Sequence, residues 1–367
     1  MRIPFLRAPL NSFKEKMAVI NVMSGNNVSV GPETKQFEYE FGKYIDVPYA
    51  LSVCNGSIAL ELIWQTFITT GQLKKGDHVL LPSFTFVAVA NAIVNAGLVP
   101  IFCDINKNTW NIEINGFECG INDIKAICVV HTFGNPCDVT FIKRFCDNFG
   151  ILLVEDCAEA CGAEYQGKKV GGFGHASAFS FNATKNMTTG EGGMVCFQDW
   201  EDEAAALLLK ENGFGYSSGR DAILSGHNYR LSNLQCAIGI EQLKTLDERN
   251  KKRALNIVNI YKKLVDIEDR IFPQTMIIGN KNVFQIAGLV VPENKRDILF
   301  EHLIKNGVEA KKYFDPPIHK QVAYKEYSKS TLPITNDISK RIICLPFDSY
   351  LTSAEITYMT TKIMEVL

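Results

Sequence analysis

The stretch ILLVEDCAEACGAEYQGKKVGGFGHASAFSFNATKNMTTGEGG, residues 151–193, decides the fold of this 367-residue chain. It begins with an apolar run that ends at a carboxylate, Asp156, and continues through a glycine-rich segment at residues 167–174. A second short apolar run then precedes Lys185, and GEGG at residues 190–193 follows the lysine. Short apolar runs bounded by glycines predict buried strands. Asp156 and Lys185 would then lie beyond the ends of two strands.

A carboxylate and a lysine at neighbouring strand ends are the two groups that pyridoxal phosphate needs from a protein. The lysine can form a Schiff base with the cofactor, and the acid can keep the pyridine nitrogen protonated so that the ring accepts electrons. Each residue alone has a simpler explanation, Lys185 as a solvated loop lysine and Asp156 as a helix cap. Together they predict a pyridoxal phosphate site.

Short apolar segments alternate with helical ones between residues 49 and 212. This alternation predicts a large, mostly parallel α/β sheet flanked by helices. In such sheets ligands bind beyond the carboxyl ends of the strands. Residues that directly follow apolar runs are therefore expected to meet at one edge, and these are Ser57, Phe86, His131, Asp156 and Lys185.

The turn CNGS at residues 54–57 separates an apolar run from a helical segment. A helix start after a strand presents backbone N–H groups and the positive end of the helix dipole, which together bind phosphate. Taken alone, the same turn is more typical of an ordinary helix N-cap. Near the beginning of the chain, Ser12 and Glu15 have the spacing of a capping box and predict a first helix.

A basic, amphipathic helical segment at residues 251–265 is expected to open a second domain. We predict a large cofactor-binding domain over residues 1–250, which includes the N-terminal segment 1–32, and a smaller C-terminal α+β domain over residues 251–367. In the smaller domain the apolar run VFQIAGLVV, residues 283–291, predicts a strand. Helices are predicted at residues 295–306 and 353–366.

Composition and charge exclude several classes of protein. The formal net charge is −2, with 38 basic and 40 acidic residues interspersed, which argues against binding to nucleic acid or to an anionic membrane surface. The chain has no apolar run of about 18 residues that could span a membrane, and its opening lacks the pattern of a signal peptide. Eleven cysteines, without a CxxC pair, lie mostly in apolar runs. They predict a cytoplasmic protein with reduced thiols and no metal site.

Several motifs together carry a resemblance to a known family. They are Ser180-Phe-x-x-Thr-Lys185 followed by GEGGM, Asn55-Gly56-Ser57, Pro82-x-x-Thr-Phe-Val-Ala88, Val130-His131, Asp156-x-Ala158 and Asn228-Tyr-Arg230. The chain resembles the DegT/DnrJ/StrS aminotransferases, the nucleotide-sugar branch of the fold-type-I pyridoxal phosphate enzymes, over nearly its whole length. The resemblance implies the fold of the fold-type-I pyridoxal phosphate enzymes, with a smaller C-terminal α+β domain. It also implies a homodimer in which both subunits contribute residues to each active site.

The resemblance also implies roles for individual residues. Lys185 would carry the Schiff base and move protons, while Asp156 would pair with the pyridine nitrogen and Phe86 would stack on the ring. The residues implied for the phosphate are Gly56, Ser57 and Ser180, with Asn228 reaching it from the partner subunit.

Glu159 stands beside the implied cofactor, where many members have Gln or His. With Glu at this place, the chain resembles the branch of the family that makes perosamine-type 4-amino sugars. The substrate contacts implied by the resemblance are His131, Tyr313, His319 and Arg230. His131 is equally consistent with a buried histidine behind the site, and Arg230 with an ion pair to an acid.

The activity implied is transamination of a nucleotide-linked 4-keto-6-deoxyhexose with L-glutamate as amino donor, the cofactor alternating with pyridoxamine phosphate. This would place the chain in deoxyamino-sugar biosynthesis, as for lipopolysaccharide O-antigens. Three alternatives stay open: a 3-keto nucleotide sugar as acceptor, an oxidised eight-carbon sugar acid as acceptor, and a non-catalytic regulator that binds the cofactor. A dehydratase is disfavoured, because dehydratase relatives replace the lysine by histidine.

Overall fold

The structure is a computed structural model, and it describes residues 1–10, 12–114, 123–215 and 221–367. Its strands are β1 (Tyr49–Val53), β2 (His78–Pro82), β3 (Val99–Cys103), β4 (Ile124–Val130), β5 (Leu152–Asp156), β6 (Glu164–Tyr165), β7 (Lys168–Lys169), β8 (Ala176–Ser180), β9 (Gly193–Phe197), β10 (Phe272–Pro273), β11 (Ala287–Val290) and β12 (Ile342–Leu345). Its helices are α1 (Phe13–Met23), α2 (Pro32–Ile45), α3 (Gly56–Thr69), α4 (Ala88–Asn95), α5 (Val139–Phe149), α6 (Trp200–Lys210), α7 (Asn233–Leu243), α8 (Leu246–Lys263), α9 (Arg296–Lys305), α10 (Pro333–Arg341) and α11 (Ser353–Met364).

A seven-stranded sheet with the order β1-β9-β8-β5-β4-β2-β3 forms the centre of the molecule. Strand β9 runs antiparallel to both of its neighbours, while every other neighbouring pair is parallel. Six of the seven strands therefore point the same way, and their carboxyl ends meet at one edge. The predicted large, mostly parallel α/β sheet is confirmed.

Helices cover both faces of this sheet, because its central strands are apolar on both sides. On β4, Ile127 and Val129 face a core that includes residues of α2, α5 and α7. The alternate residues Ala126 and Cys128 face a second core, built with α3, α4 and α6. Cysteines take part in both cores as small apolar side chains, and every cysteine in the described ranges is free.

A smaller antiparallel sheet, β10-β11-β12, lies in the C-terminal part of the chain. Its core combines residues of α8, α9 and α11 with Ile3 from the beginning of the chain. Ile3 also forms a parallel bridge with Val308. The domain boundary at residue 250 stays a prediction, and α8 runs through that position without a break.

Local signals predicted the start of α1 but not the extent of β11, and the helical segment predicted at residues 251–265 begins earlier, as α8. The capping box at the start of α1 is present, since the Ser12 hydroxyl accepts the Glu15 N–H at 3.2 Å and Glu15 Oε2 accepts the Ser12 N–H at 2.9 Å. The strand predicted at residues 283–291 is limited to Ala287–Val290. Residues before it leave the sheet because the backbone of Val283 and Gln285 bonds to residues of the turn after β4. Within the described part of the chain, no helix is long and apolar enough to cross a membrane.

Candidate active site

A cavity of about 560 Å³ opens at the carboxyl ends of β1, β2, β4, β5 and β8. Parallel sheets place ligands at this edge. The predicted residues that line the cavity are Gly56, Ser57, Phe86, Asp156, Glu159, Ser180, Lys185 and Tyr313. The opposite wall comes from the C-terminal part of the chain and from Phe5 and Leu6, so the cavity lies between the two sheets.

One end of the cavity is formed by the start of α3 and the end of β8. Asn55 caps the helix, with its side-chain oxygen accepting the Ile58 N–H at 2.9 Å. The backbone of Gly56 lies so close to β8 that an added Cβ would stand 2.7 Å from the Cβ of Ser180. Glycine is therefore needed here, and it brings the first N–H groups of α3 beside the hydroxyls of Ser57 and Ser180. Such a helix start with nearby hydroxyls fits a phosphate group.

Asp156 lies at the other end of the predicted cofactor site, at the end of β5. Its Oδ1 accepts the Ala158 N–H at 2.9 Å. Burial raises the pKa of Asp156 from 3.8 to about 6, although that hydrogen bond and the positive charge of Lys185 oppose the increase. A buried carboxylate that ionises near neutral pH is suited to pair with a cationic ring nitrogen.

Lys185 projects into the cavity from the turn after β8, and Glu159 is its nearest charged partner. The Lys185 Nζ lies 3.7 Å from Glu159 Oε1. Glu159 is held in turn by the backbone, since its Oε2 accepts the Phe133 N–H at 3.0 Å. The lysine and its acidic neighbour are both mostly buried, so water weakens the attraction between their charges less than it would at the protein surface.

Phe86 is 58% exposed and lines the cavity at the end of β2. A ring in the apolar core would be buried, so its exposure favours a contact with a ligand. The cavity thus offers an aromatic ring, a helix start with hydroxyls, a buried carboxylate and a lysine. Pyridoxal phosphate has the complementary groups: a flat ring, a phosphate, a ring nitrogen and an aldehyde.

Comparison with known proteins agrees with this geometry. A sequence model of the family described as "DegT/DnrJ/EryC1/StrS aminotransferase family" matches residues 11–364. The chain belongs to this family. It is similar to the GDP-perosamine synthase of Escherichia coli O157:H7, with 34% identity over 96% of this chain and 95% of the relative. A solved structure of Helicobacter pylori PseC, described as an aminotransferase of pseudoaminic acid biosynthesis, superposes with a TM-score of 0.94 at 25% identity, covering 100% of this chain and 99% of PseC.

The predicted family, the fold class and the pyridoxal phosphate cofactor are confirmed by these similarities. The chain is a pyridoxal-phosphate-dependent sugar aminotransferase. The roles of the individual residues stay predictions, and the structure places them as follows.

The two histidines predicted to contact substrate do not line the cavity of this aminotransferase. His131 is fully buried, with its Nε2 at 3.1 Å from Glu155 Oε2 and its Nδ1 accepting the Cys137 N–H at 3.0 Å. His319 is 6% exposed, and its Nδ1 lies 2.7 Å from the hydroxyl of Ser83. These contacts place both histidines behind the cavity wall.

Asn228 and Arg230 lie just outside the cavity of the single chain. Arg230 forms a β-bridge with Val53, the last residue of β1, and its guanidinium lies 2.8 Å from a carboxylate oxygen of Glu211. The Asn228 side chain is exposed on the surface. The segment therefore runs close to the helix start that fits the phosphate, but its side chains are directed elsewhere within one subunit.

His131, Glu155 and Cys157 form a buried group whose ligand atoms lie within 4.8 Å of one another, the arrangement of a candidate metal site. The carboxylate of Glu155 already accepts hydrogen bonds from His131 and from three backbone N–H groups. These donors satisfy it without a cation.

Sequence reasoning missed several residues that line the cavity, namely Phe5, Leu6, Asn182, Thr184, Gln285 and Phe314. Asn182 and Thr184 could have been found from their places directly before Lys185. Gln285 had a different signal, because it is the one polar residue in the apolar run VFQIAGLVV. The others come from distant parts of the chain, and their places depend on how the two sheets pack.

Proposed function

We propose that this aminotransferase converts a nucleotide-linked 4-keto-6-deoxyhexose to the 4-amino sugar with L-glutamate as the amino donor. The observation that carries the proposal is the placement of Lys185 and Asp156 in one cavity with the helix start at Gly56. Relatives support the position of amination. The E. coli protein is named GDP-perosamine synthase, and a Saccharopolyspora spinosa protein, 31% identical over 96% of this chain, is named dTDP-4-dehydro-2,3,6-trideoxy-D-glucose 4-aminotransferase.

Bound pyridoxal phosphate supplies the electron sink that allows a C–H bond next to nitrogen to be broken. In the proposal, Lys185 Nζ removes and returns the proton at the reacting carbon, which is general acid–base help worth about 10²–10⁴-fold. Asp156 holds the ring nitrogen through opposite charge. The start of α3, with Ser57 and Ser180, holds the phosphate, and Phe86 limits the movement of the ring.

The wall opposite these groups supports a 6-deoxy sugar as the acceptor. It includes Phe5, Ile286, Phe314 and Phe347, all apolar, with Tyr313 as the residue that carries a hydroxyl among them. A 6-deoxyhexose presents a methyl group where other hexoses carry a hydroxyl, and apolar side chains stabilise a methyl group by burying it. The carboxylate of an eight-carbon sugar acid would be desolvated against the same wall, where the Tyr313 hydroxyl is the single donor among these five side chains.

We further propose a homodimer in which Asn228 serves the site of the partner subunit. Its exposure in the single chain, beside the phosphate-binding helix start, supports this. Apolar side chains on α1 are also exposed, among them Phe13 at 74% and Met23 at 66%, and an exposed apolar surface of this kind marks an interface. A mixture of inactive Lys185→Ala and inactive Asn228→Ala proteins should regain activity after subunit exchange, because one site in the mixed dimer would be intact.

The central experiment records the absorbance of the cofactor-loaded protein before and after L-glutamate. Wild type should show the loss of the lysine-bound cofactor band on adding glutamate, and Lys185→Ala should not. Lys143→Ala is the control, since Lys143 is a surface residue paired with Asp147 on α5. An unchanged wild-type spectrum with glutamate would overturn the proposed donor. A normal response in Lys185→Ala would overturn the role of the lysine.

The acceptor is tested by mixing the aminated form of the cofactor-loaded protein with keto sugars. GDP- and dTDP-linked 4-keto-6-deoxyhexoses should restore the original spectrum. Restoration by a 3-keto nucleotide sugar alone, or by an oxidised eight-carbon sugar acid alone, would identify those alternatives instead. If no acceptor restores it, the result would favour a regulator that binds the cofactor without turnover.

A further inference from the structure

A buried glutamine from the C-terminal part of the chain holds the turn that carries Lys185. Gln285 is 4% exposed and lies just before β11. Its side-chain Oε1 accepts the Asn186 N–H at 3.0 Å, and its Nε2 donates to the Thr184 carbonyl at 2.6 Å. The two bonded peptide groups are those on either side of the Lys185 Cα. One carboxamide therefore bridges the backbone across the lysine.

The glutamine is itself held firmly in place. Its backbone N–H donates to the Phe133 carbonyl at 2.9 Å, and its carbonyl accepts from the Arg253 guanidinium at 2.7 Å. The turn at Phe133 also holds Glu159, the acidic neighbour of Lys185. The backbone bonds thus fix Gln285 relative to both charged residues of the cavity.

Other contacts hold the same turn but do not replace the bridge. The Lys185 N–H donates to the Asn182 carbonyl at 2.9 Å, which fixes the beginning of the turn. The Asn186 side chain donates to Asn250 Oδ1 at 3.0 Å, and the Arg249 Nε donates to the Asn186 carbonyl at 3.2 Å. The first of these contacts involves the peptide group before the Lys185 Cα and the others hold Asn186, whereas Gln285 bonds to the peptide groups on both sides of the Lys185 Cα.

We propose that Gln285 is a positioning residue for Lys185. It fixes the direction in which the long, flexible lysine side chain leaves the backbone, so that Nζ reaches the reacting atoms. A displacement of about 1 Å in a reacting group can cost about 10²-fold in rate. The role links the lysine to the smaller sheet, since Gln285 lies two residues before the start of β11. The inference rests on the function proposed for Lys185, but part of its test does not.

Two substitutions separate the halves of the bridge. Gln285→Met has a similar length and removes both hydrogen bonds, while Gln285→Glu keeps an acceptor for the Asn186 N–H and loses the donor to the Thr184 carbonyl. Gln274→Met is the matched control. Gln274 also donates from Nε2 to two backbone carbonyls, those of Thr109 at 2.7 Å and Thr132 at 3.0 Å, and does not contact the lysine turn.

The first measurement uses protein without cofactor and follows hydrogen exchange of the Asn186 amide by fragmentation mass spectrometry. Loss of one hydrogen bond should speed exchange by about 10-fold in Gln285→Met. Exchange in Gln285→Glu and in Gln274→Met should stay at the wild-type rate. Unchanged exchange in Gln285→Met would overturn the bridge, whatever the function of the protein.

The second measurement uses the cofactor-loaded protein and L-glutamate. In Gln285→Met, the maximal single-turnover rate constant with L-glutamate should fall on the order of 10²-fold with little change in the apparent Kd for glutamate, because positioning of the lysine affects the transition state more than substrate binding. Gln274→Met should retain the wild-type rate constant. A loss in Gln285→Met no larger than in the control would overturn the positioning role. Failure of the proposed function is recognised separately, by a normal glutamate response in Lys185→Ala.

Discussion

Two neighbouring carboxylates at the end of β5 have opposite environments. Glu155 points away from the cavity and accepts hydrogen bonds from His131 Nε2 and from the N–H groups of Gly171, Phe173 and Gly174. Burial alone would raise its pKa, but these donors hold the pKa of Glu155 below its ordinary value. Asp156 points into the cavity, and burial raises its pKa to about 6.

Glu155 is bonded to the protein itself, whereas the role proposed for Asp156 is to bind a ligand. Glu155 is fully supplied with donors and ties the glycine-rich segment to the sheet. Burial of the Asp156 carboxylate costs free energy, and its contacts in the cofactor-free protein do not offset that cost. Such an uncompensated buried group is typical of sites that bind a charged ligand. Substitutions at the two positions should therefore have different consequences, and four predictions follow from this in decreasing order of effect.

Asp156→Asn should give the largest change. We expect the maximal rate constant with L-glutamate to fall on the order of 10³-fold, the effect of removing one preorganised electrostatic partner, while the protein stays folded. The measurement is single-turnover conversion with L-glutamate. Asp138→Asn is the control, because Asp138 caps α5 by accepting the Phe141 N–H, and asparagine caps equally well. Full activity in Asp156→Asn would remove the distinction between the two carboxylates.

Glu155→Gln should reduce stability instead. The new amide group would face hydrogen-bond donors in a fully buried place, and each donor left without an acceptor costs about 1–3 kcal/mol in the free energy of unfolding. Glu164→Gln is the control, since Glu164 pairs with Lys169 and Lys281 near the surface and should cost less than about 1 kcal/mol. Urea unfolding of the two variants checks this. Equal losses would contradict the proposed role of Glu155.

The stability of the cofactor-free protein should depend on pH through Asp156. With a folded pKa of about 6 against an ordinary value of 3.8, the folded state binds more protons than the unfolded state between these values. Stability is therefore lost as pH rises through this window, by up to about 3 kcal/mol. Thermal unfolding of wild type and Asp156→Asn checks this. The difference in the free energy of unfolding between Asp156→Asn and wild type should be near zero at pH 4, increase as the pH rises, and stay constant above pH 7. A constant excess across the whole range would show that Asp156 is not the group responsible.

Glu159→Gln should have the smallest effect. Glutamine can still accept the Phe133 N–H, so the residue should stay in place while its charge beside Lys185 is lost. We expect kcat to change by less than about 10-fold, the value of roughly one hydrogen bond. Steady-state kinetics with the identified sugar checks this. A loss as large as that of Asp156→Asn would mean that Glu159 takes part in the chemistry more directly.

Much of the site was predictable because its residues follow strand ends. Ser57, Phe86 and Lys185 follow the ends of β1, β2 and β8 within five residues, Asp156 is the last residue of β5, and the parallel direction of these strands brings the four residues together. His131 follows a strand end as well, yet it is buried. The position of His131 in the sequence does not show whether its side chain points into the cavity or behind the cavity wall. Its contacts with Glu155 and Cys137 show that it lies behind the wall.

The other wall of the cavity was not predictable in the same way. Gln285 and Phe314 come from segments whose local sequence pattern predicts a strand or a loop. The pattern does not predict which distant segment that strand or loop packs against. The strand predicted at residues 283–291 was too long because hydrophobic pattern alone does not show where a chain turns away to bond elsewhere. Contacts between distant segments decide such positions.

The first few residues of the chain have their partners near its other end. The Ile3 N–H donates to the Gly307 carbonyl at 2.8 Å, and the Phe347 N–H donates to the Phe5 carbonyl at 3.2 Å. A ribosome that adds roughly 5–20 residues per second needs tens of seconds to travel from one group to the other. Until then Phe5 and Leu6 lack the neighbours that hold them at the cavity. The strand ends of the larger sheet that line the cavity are therefore synthesised well before Phe347, whose contact with Phe5 completes the opposite wall.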